Sequence, residues 1–96
     1  MKTHFDLNFL ENATETLRSI AHPARIAIIE LLYKNGQMTV TEIYEQLQIE
    51  QAVASHHLRI MKGKNVVIVQ RDGKNSLYSL ADKDFHAIIE VLIRVL

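Results

Sequence analysis

The chain contains no cysteine, so disulfides, thiolate metal sites and thiol switches are excluded. No apolar run approaches the ~18 residues that a membrane-spanning helix needs. The opening stretch MKTHFDLNFLENATET is too polar for a secretory leader, and a cytoplasmic protein is expected. Glycine and proline are scarce, three and one, and no segment is of low complexity, repeated or linker-like. Net charge is missing too, because eleven Lys and Arg balance eleven Asp and Glu. A zero balance by itself gives no support to a polyanionic partner. With 48% hydrophobic and 23% charged residues, the expectation is one globular domain over residues 1–96.

The charge that is present is unevenly placed. Residues 1–50 carry a net −3 and residues 81–96 a net −1. Between them, residues 51–80 hold Arg59, Lys62, Lys64, Arg71 and Lys74 against Asp72 alone, a net +4. Cations gathered in one segment are what phosphate binding requires. A mildly basic, solvated face is the plainer alternative.

Apolar spacing divides the chain into helices. Leu10, Ala13, Leu17 and Ile20 mark a first helix over residues ~7–20, with Asn8 and Glu11 as its expected capping box. That helix must stop before Pro23, which suits the first position of a second. Helix 2 runs to about Lys34 and is apolar nearly all round, as a central helix is. Asn35-Gly36 supplies its stop. Its polar exceptions, Arg25 and Glu30, are expected to be structural. Thr39 and Glu42 form a capping box for helix 3, whose inward pair is Ile43 and Leu47.

Helix 4 is QAVASHHLRIMK, residues 51–62. Ala54, Leu58 and Met61 share one face; Gln51, Ala52, Ser55, His56 and Arg59 fall on the other. The first face can bury, and the second holds donors, acceptors and a cation with no acid. Helix, tight turn and a helix with outward polar groups is how a helix-turn-helix addresses the DNA major groove. A generic helical hairpin has the same spacing. Val66-Val67-Ile68-Val69, the turn residues around Asp72-Gly73, and Ser-Leu-Tyr-Ser-Leu then read as a β-hairpin. A hairpin there is a wing, with Arg71 and Lys74 at its tip able to reach phosphates. It is otherwise an exposed hairpin kept soluble by its charges.

Residues 82–96 form helix 5. From Asp84 onward nine of thirteen residues are apolar, more than one core-facing stripe can use. The surplus predicts self-association, with helix 1 sharing the surface.

The whole order resembles the ArsR/SmtB family of bacterial winged-helix repressors. AHPARIAIIELL is similar to the family's second helix, including Arg25, and MTVTEIYEQLQI to the first element of its helix-turn-helix. QAVASHHLRIM resembles its recognition helix, where Ser-x-His-Leu is usual, and VQRDGKNSLYSL its wing. Three positions depart from the pattern: Glu50 replaces a small hydroxyl cap, Ala52 stands where serine is common, and Asn65 stands where glycine is usual. The resemblance implies a mainly α (α+β) winged helix-turn-helix, with four helices, two strands and a fifth helix. It also implies a homodimer paired through the first and last helices on a two-fold operator.

DNA-contacting candidates are then Gln51, Ala52, Ser55, His56, Arg59, Lys62, Lys64, Arg71 and Lys74. Gln51, Ser55 and His56 face base edges and the cations face phosphates, while His57 packs at the helix edge. Some family members sense a metal through Asp-x-His in the last helix plus two later ligands. Asp84-Phe85-His86 reproduces the first half only, and a tetrahedral zinc wants four ligands, so no complete metal site and no cofactor are expected. Glu90, one turn after His86, could add a ligand, but an i, i+4 pair on a helix is common by chance. No catalytic residues are expected either. Ser55 and His56 are helix neighbours whose side chains diverge by ~100°, and Gly63-Lys64 lacks the upstream glycine of a phosphate loop. The remaining alternatives to a sequence-specific repressor are a winged helix for protein contacts and a non-specific architectural DNA binder.

Overall fold

The computed structural model describes residues 6–96. Residues 1–5, part of the polar opening stretch, lie outside the described residues. Helices α1 (Leu7–Ile20) and α2 (Pro23–Asn35) come first. They are followed by β1 (Met38–Thr39), α3 (Val40–Leu47), α4 (Gln51–Gly63), β2 (Val67–Asp72), β3 (Asn75–Leu80) and α5 (Asp84–Val95). The helix order and the hairpin are those expected from the sequence.

Two features differ in detail. The expected Asn8–Glu11 capping box does not form. The cap is Asp6, whose carboxylate accepts from the backbone N–H of Asn8 at 2.9 Å and of Phe9 at 3.2 Å. Asp6 is as good a cap as Asn8 and lies ahead of it, and its charge also suits the positive end of the helix dipole. The second feature is β1, which pairs antiparallel with β3 through Met38 opposite Tyr78 and Thr39 opposite Leu77. The hairpin is therefore part of a three-stranded sheet in the order β1-β3-β2.

Local chemistry fixes the other boundaries. Pro23 opens α2, and the Nδ1 of His22 caps it by accepting from the Ala24 N–H at 3.0 Å. Gly36, at φ +83°, closes it. At α3, the Thr39 hydroxyl accepts from the Glu42 N–H at 3.2 Å, and the Glu42 carboxylate accepts from the Thr39 N–H at 2.8 Å. Gln48, at φ +57°, turns the chain from α3 toward α4. Asn65 takes φ +59° between α4 and β2, the left-handed conformation Asn tolerates best after glycine. Six residue pairs join β2 to β3, and Gly73, the first of the two loop residues, takes φ +63°, as a tight hairpin turn of this kind needs.

The core gathers around α2. Ile28, Ile29 and Leu32 are buried there with Ile20 of α1, Met38, Ile43 of α3, Leu58 and Met61 of α4, Val66, Val67 and Ile89 of α5. One face of α4 is thus committed to the core and the opposite face is left out.

Candidate nucleic-acid interface

Helix α4 is seated by Ala54, Leu58 and Met61, all fully buried. Burying Leu58 and Met61 contributes roughly 1.5–3 kcal/mol each, so the helix cannot roll these residues outward cheaply. That seating leaves Gln51, Ala52, His56 and Arg59 exposed and Ser55 half-buried on the outer side. Glu50, at the N-cap, makes no side-chain capping bond, so the start of α4 lacks the hydroxyl cap worth about 1 kcal/mol.

The adjacent histidines go opposite ways. His56 is exposed, whereas His57 is 6% exposed and turned into the fold. The Nδ1 of His57 accepts from Arg25 Nε of α2 at 3.1 Å. The same guanidinium donates through Nη1 to the backbone carbonyls of Arg18 at 3.3 Å and Ser19 at 3.4 Å, in the last turn of α1. The ring centroid of His22 lies 4.4 Å from that of His57, and that of His56 5.5 Å away. Burial first, then the neighbouring basic side chains of His22, Arg25 and His56, hold the pKa of His57 below its ordinary value.

The cations fall into two groups. Arg59, Lys62, Arg71 and Lys74 are exposed and form no salt bridge with an acid among the described residues. Arg71 and Lys74 sit at the hairpin end, with Arg71 opposite Ser76 in the register. Lys64 is different: its Nζ lies 2.5 Å from Glu15 of α1. The Lys64 hydrogen bond and charge hold the Glu15 carboxyl below its ordinary pKa. Of the nine nominated residues, Lys64 alone already has an anion beside it among the described residues.

The Arg25–His57 bond spans two helices and is not apparent from local sequence. Its only trace is that Arg25 is one of two polar exceptions, with Glu30, in a helix that is apolar nearly all round.

At the other end of the molecule, α5 rests on α2 through buried Ile89 and His86. The His86 ring stacks on Tyr33 at 3.7 Å with planes 5° apart, and its Nε2 lies 2.8 Å from Glu30. Asp84 is exposed in the first turn of α5, and its N–H donates to Asp82. Among the described residues, no three His, Cys, Asp or Glu side chains converge as a metal site. The rest of α5 is apolar and uncovered: Ile88, Val91, Leu92, Ile93 and Val95 are each about half exposed or more. Phe9, Leu10 and Leu17 of α1 are exposed as well.

A core-seated helix with a polar outer face, preceded by a short capped helix and a tight turn and followed by a basic hairpin, defines a winged helix-turn-helix. Comparison with known proteins agrees. The chain is 40% identical over 80 residues to the HTH-type transcriptional repressor SmtB of Mycobacterium tuberculosis, covering 83% of this chain but only 58% of that protein. It is 37% identical to the transcriptional repressor PagR of Bacillus anthracis, covering 86% of this chain and 83% of PagR. The PagR crystal structure superposes with a TM-score of 0.78 over 86% of this chain and 94% of that one. NolR from Sinorhizobium fredii superposes with a TM-score of 0.81 at 27% identity, covering 90% and 85% of the two chains. The family profile described as "Bacterial regulatory protein, arsR family" matches residues 22–69, and the chain belongs to that family. No helix among the described residues is long and apolar enough to cross a membrane.

Proposed function

We propose that this protein is a homodimeric, sequence-specific DNA-binding repressor that reads a two-fold operator with α4. The observation that carries this reading is the division of α4 into a fully buried apolar face and an exposed face of donors and one cation. Gln51, Ser55 and His56 address base edges, where Gln can pair adenine. Ala52 offers an apolar contact to a thymine methyl. Arg59 and Lys62 hold phosphates near α4, Arg71 and Lys74 hold them from the wing, and Lys64 joins them when it leaves Glu15. The relatives' names as transcriptional repressors support the reading.

Dimerisation through α1 and α5 gives the exposed apolar side chains a partner. It also sets two α4 helices for successive major grooves, about 34 Å apart. The repressor works in the cytoplasm, without an enzymatic activity of its own. It also works without a resident metal: Asp84 and His86 supply only half of a tetrahedral ligand set, and His86 Nε2 lies 2.8 Å from Glu30. Zinc titrated against operator binding at stoichiometric concentration leaves affinity unchanged on this reading, and a zinc-dependent release overturns that part of it.

The direct test is a duplex selected from a random pool by the purified protein, followed by gel shifts with Ser55→Ala/His56→Ala. Operator preference is lost while the dimer persists. Unchanged affinity removes α4 from the reading role. Random duplex competing as well as the selected one makes the protein an architectural binder. Binding to no duplex in dilute buffer leaves a winged helix used for protein contacts.

A further inference from the structure

The reading of α4 leaves its most buried polar residue, His57, without a task. We propose that the Arg25–His57 hydrogen bond is a positioning clamp that sets the rotation of α4, and that it holds only while His57 is neutral. This inference rests on the DNA-reading role given to α4.

The geometry shows what the clamp adds. Ala54, Leu58 and Met61 keep the apolar face of α4 inward, but apolar contacts have little direction and leave small rotations about that seat inexpensive. A hydrogen bond has direction. Each residue advances the helix by ~100°, so the bond that turns His57 inward also turns His56 outward. Arg25 is well placed to impose this. Its planar guanidinium is fixed by the Arg18 and Ser19 carbonyls of α1 on one side and meets His57 on the other, at 3.1 Å. Three helices therefore converge on one rigid cation.

The chemistry sets the protonation state. Arginine only donates and stays charged, so the Nδ1 of His57 must be an unprotonated acceptor. A proton there would set donor against donor and cation beside cation. The titratable groups facing His57 are His22, before α2, Arg25 on α2 and His56 on its own helix. From α1, the nearby Arg18 and Ser19 carbonyls are engaged by Arg25 rather than by His57. None of these groups is a carboxylate able to offset the proton. Burial and these neighbours lower the pKa of His57, so the clamped state takes up a proton less readily than the unclamped one. The sign follows: the clamp is at full strength above the ordinary histidine value of about 6.5 and weakens as pH falls below it.

The test compares wild type, His57→Asn and His57→Ala on the duplex that wild type selects from a random pool. The Oδ1 of Asn occupies the place of Nδ1 and accepts a hydrogen bond, but it does not titrate. At pH near 7.5, His57→Ala should weaken binding about tenfold, and His57→Asn should stay within about threefold of wild type. The ratio of wild-type to His57→Asn affinity should be level above pH ~7 and fall below ~6.5. His22 and His56 are present in both proteins, so the ratio reports the change made at position 57. A level ratio throughout, or Asn as damaging as Ala, overturns the clamp.

Two measurements stand apart from DNA. Long-range proton–nitrogen imidazole spectra of wild type should show Nδ1 of His57 unprotonated at neutral pH. Thermal melting should show wild type losing stability relative to His57→Asn below pH ~6.5. A protonated Nδ1, or parallel melting curves, overturns the clamp even if no duplex is bound. Failure to bind any duplex, by contrast, would sink only the DNA-reading role.

Discussion

Helices α4 and α5 are both amphipathic and both are anchored on α2, yet they leave opposite faces uncovered. Helix α4 buries Ala54, Leu58 and Met61 and leaves Gln51, His56 and Arg59 outside. Helix α5 buries Ile89 and His86 and leaves Val91 at 49% exposed and Leu92 at 50%. What a helix leaves uncovered selects its partner. Donors and cations are satisfied by water until a polyanion displaces it, so α4 suits a reversible, salt-sensitive encounter. Apolar side chains in water are a standing cost, so α5 suits a lasting contact with another apolar surface. The two faces also sit in different parts of the fold, so they can be broken one at a time.

The largest effect is expected on α5. Leu92→Glu places a charge where an apolar contact is proposed, and two-fold symmetry places it twice. Desolvating such charges costs several kcal/mol, so dimerisation should weaken more than about 100-fold. Sedimentation should show a monomer, and operator affinity should collapse although α4 is untouched. A Leu92→Glu protein that still sediments as a dimer would move the interface elsewhere.

The next effect is on α4. Ser55→Ala/His56→Ala removes two groups proposed to face base edges, each offering a hydrogen bond worth about 0.5–1.5 kcal/mol. Preference for the selected duplex over random duplex should drop at least tenfold, with sedimentation unchanged. A loss of dimer in this variant would mean that the two faces are not independent.

The wing gives a smaller and more graded effect. Arg59, Lys62, Arg71 and Lys74 are four cations per protomer with no salt bridge among the described residues. Eight phosphate contacts in a dimer give a slope of about −7 in log affinity against log salt. Arg71→Ala removes one cation per protomer, so the slope should become shallower by about two while sequence preference stays. A slope near zero in wild type would favour a protein partner for the α4 face.

Much of this contrast was legible from the sequence, and the reason is local. The burial of Ala54, Leu58 and Met61 follows from spacing along one helix. The excess of apolar residues after Asp84 can be counted. The Thr39–Glu42 box and the stop at Gly36 each lie within a few residues of the boundary they set. The missed features were of two kinds. Asp6 and Asn8 are both good caps two residues apart, and spacing does not choose between them. The two-residue strand β1 is too short to show periodicity and exists only because β3 lies beside it. Pairings across the fold leave no local trace at all: Arg25 and His57 are 32 residues apart, and Lys64 and Glu15 are 49. The order of elements and the exposed faces could thus be read, whereas the contacts that hold the site in place could not.

The smallest expected effect concerns the Lys64–Glu15 contact, where the two regions meet. Glu15 belongs to α1, on the proposed dimer side, and Lys64 follows α4, on the proposed DNA side. Both side chains are about half exposed, so water and salt screen the pair and its loss should barely change folding stability. Its effect on DNA is a matter of competition. While Glu15 holds Lys64, a phosphate must displace a carboxylate to use that cation. Glu15→Gln removes the competitor and a nearby negative charge, so operator affinity should rise about threefold in dilute buffer. The gain should fade as salt rises. Lys64→Ala, made in the Glu15→Gln background, should abolish the gain. If Glu15→Gln instead weakened binding, the pair would be bracing α1 against α4, and Lys64 would belong to the scaffold rather than to the phosphate-binding set.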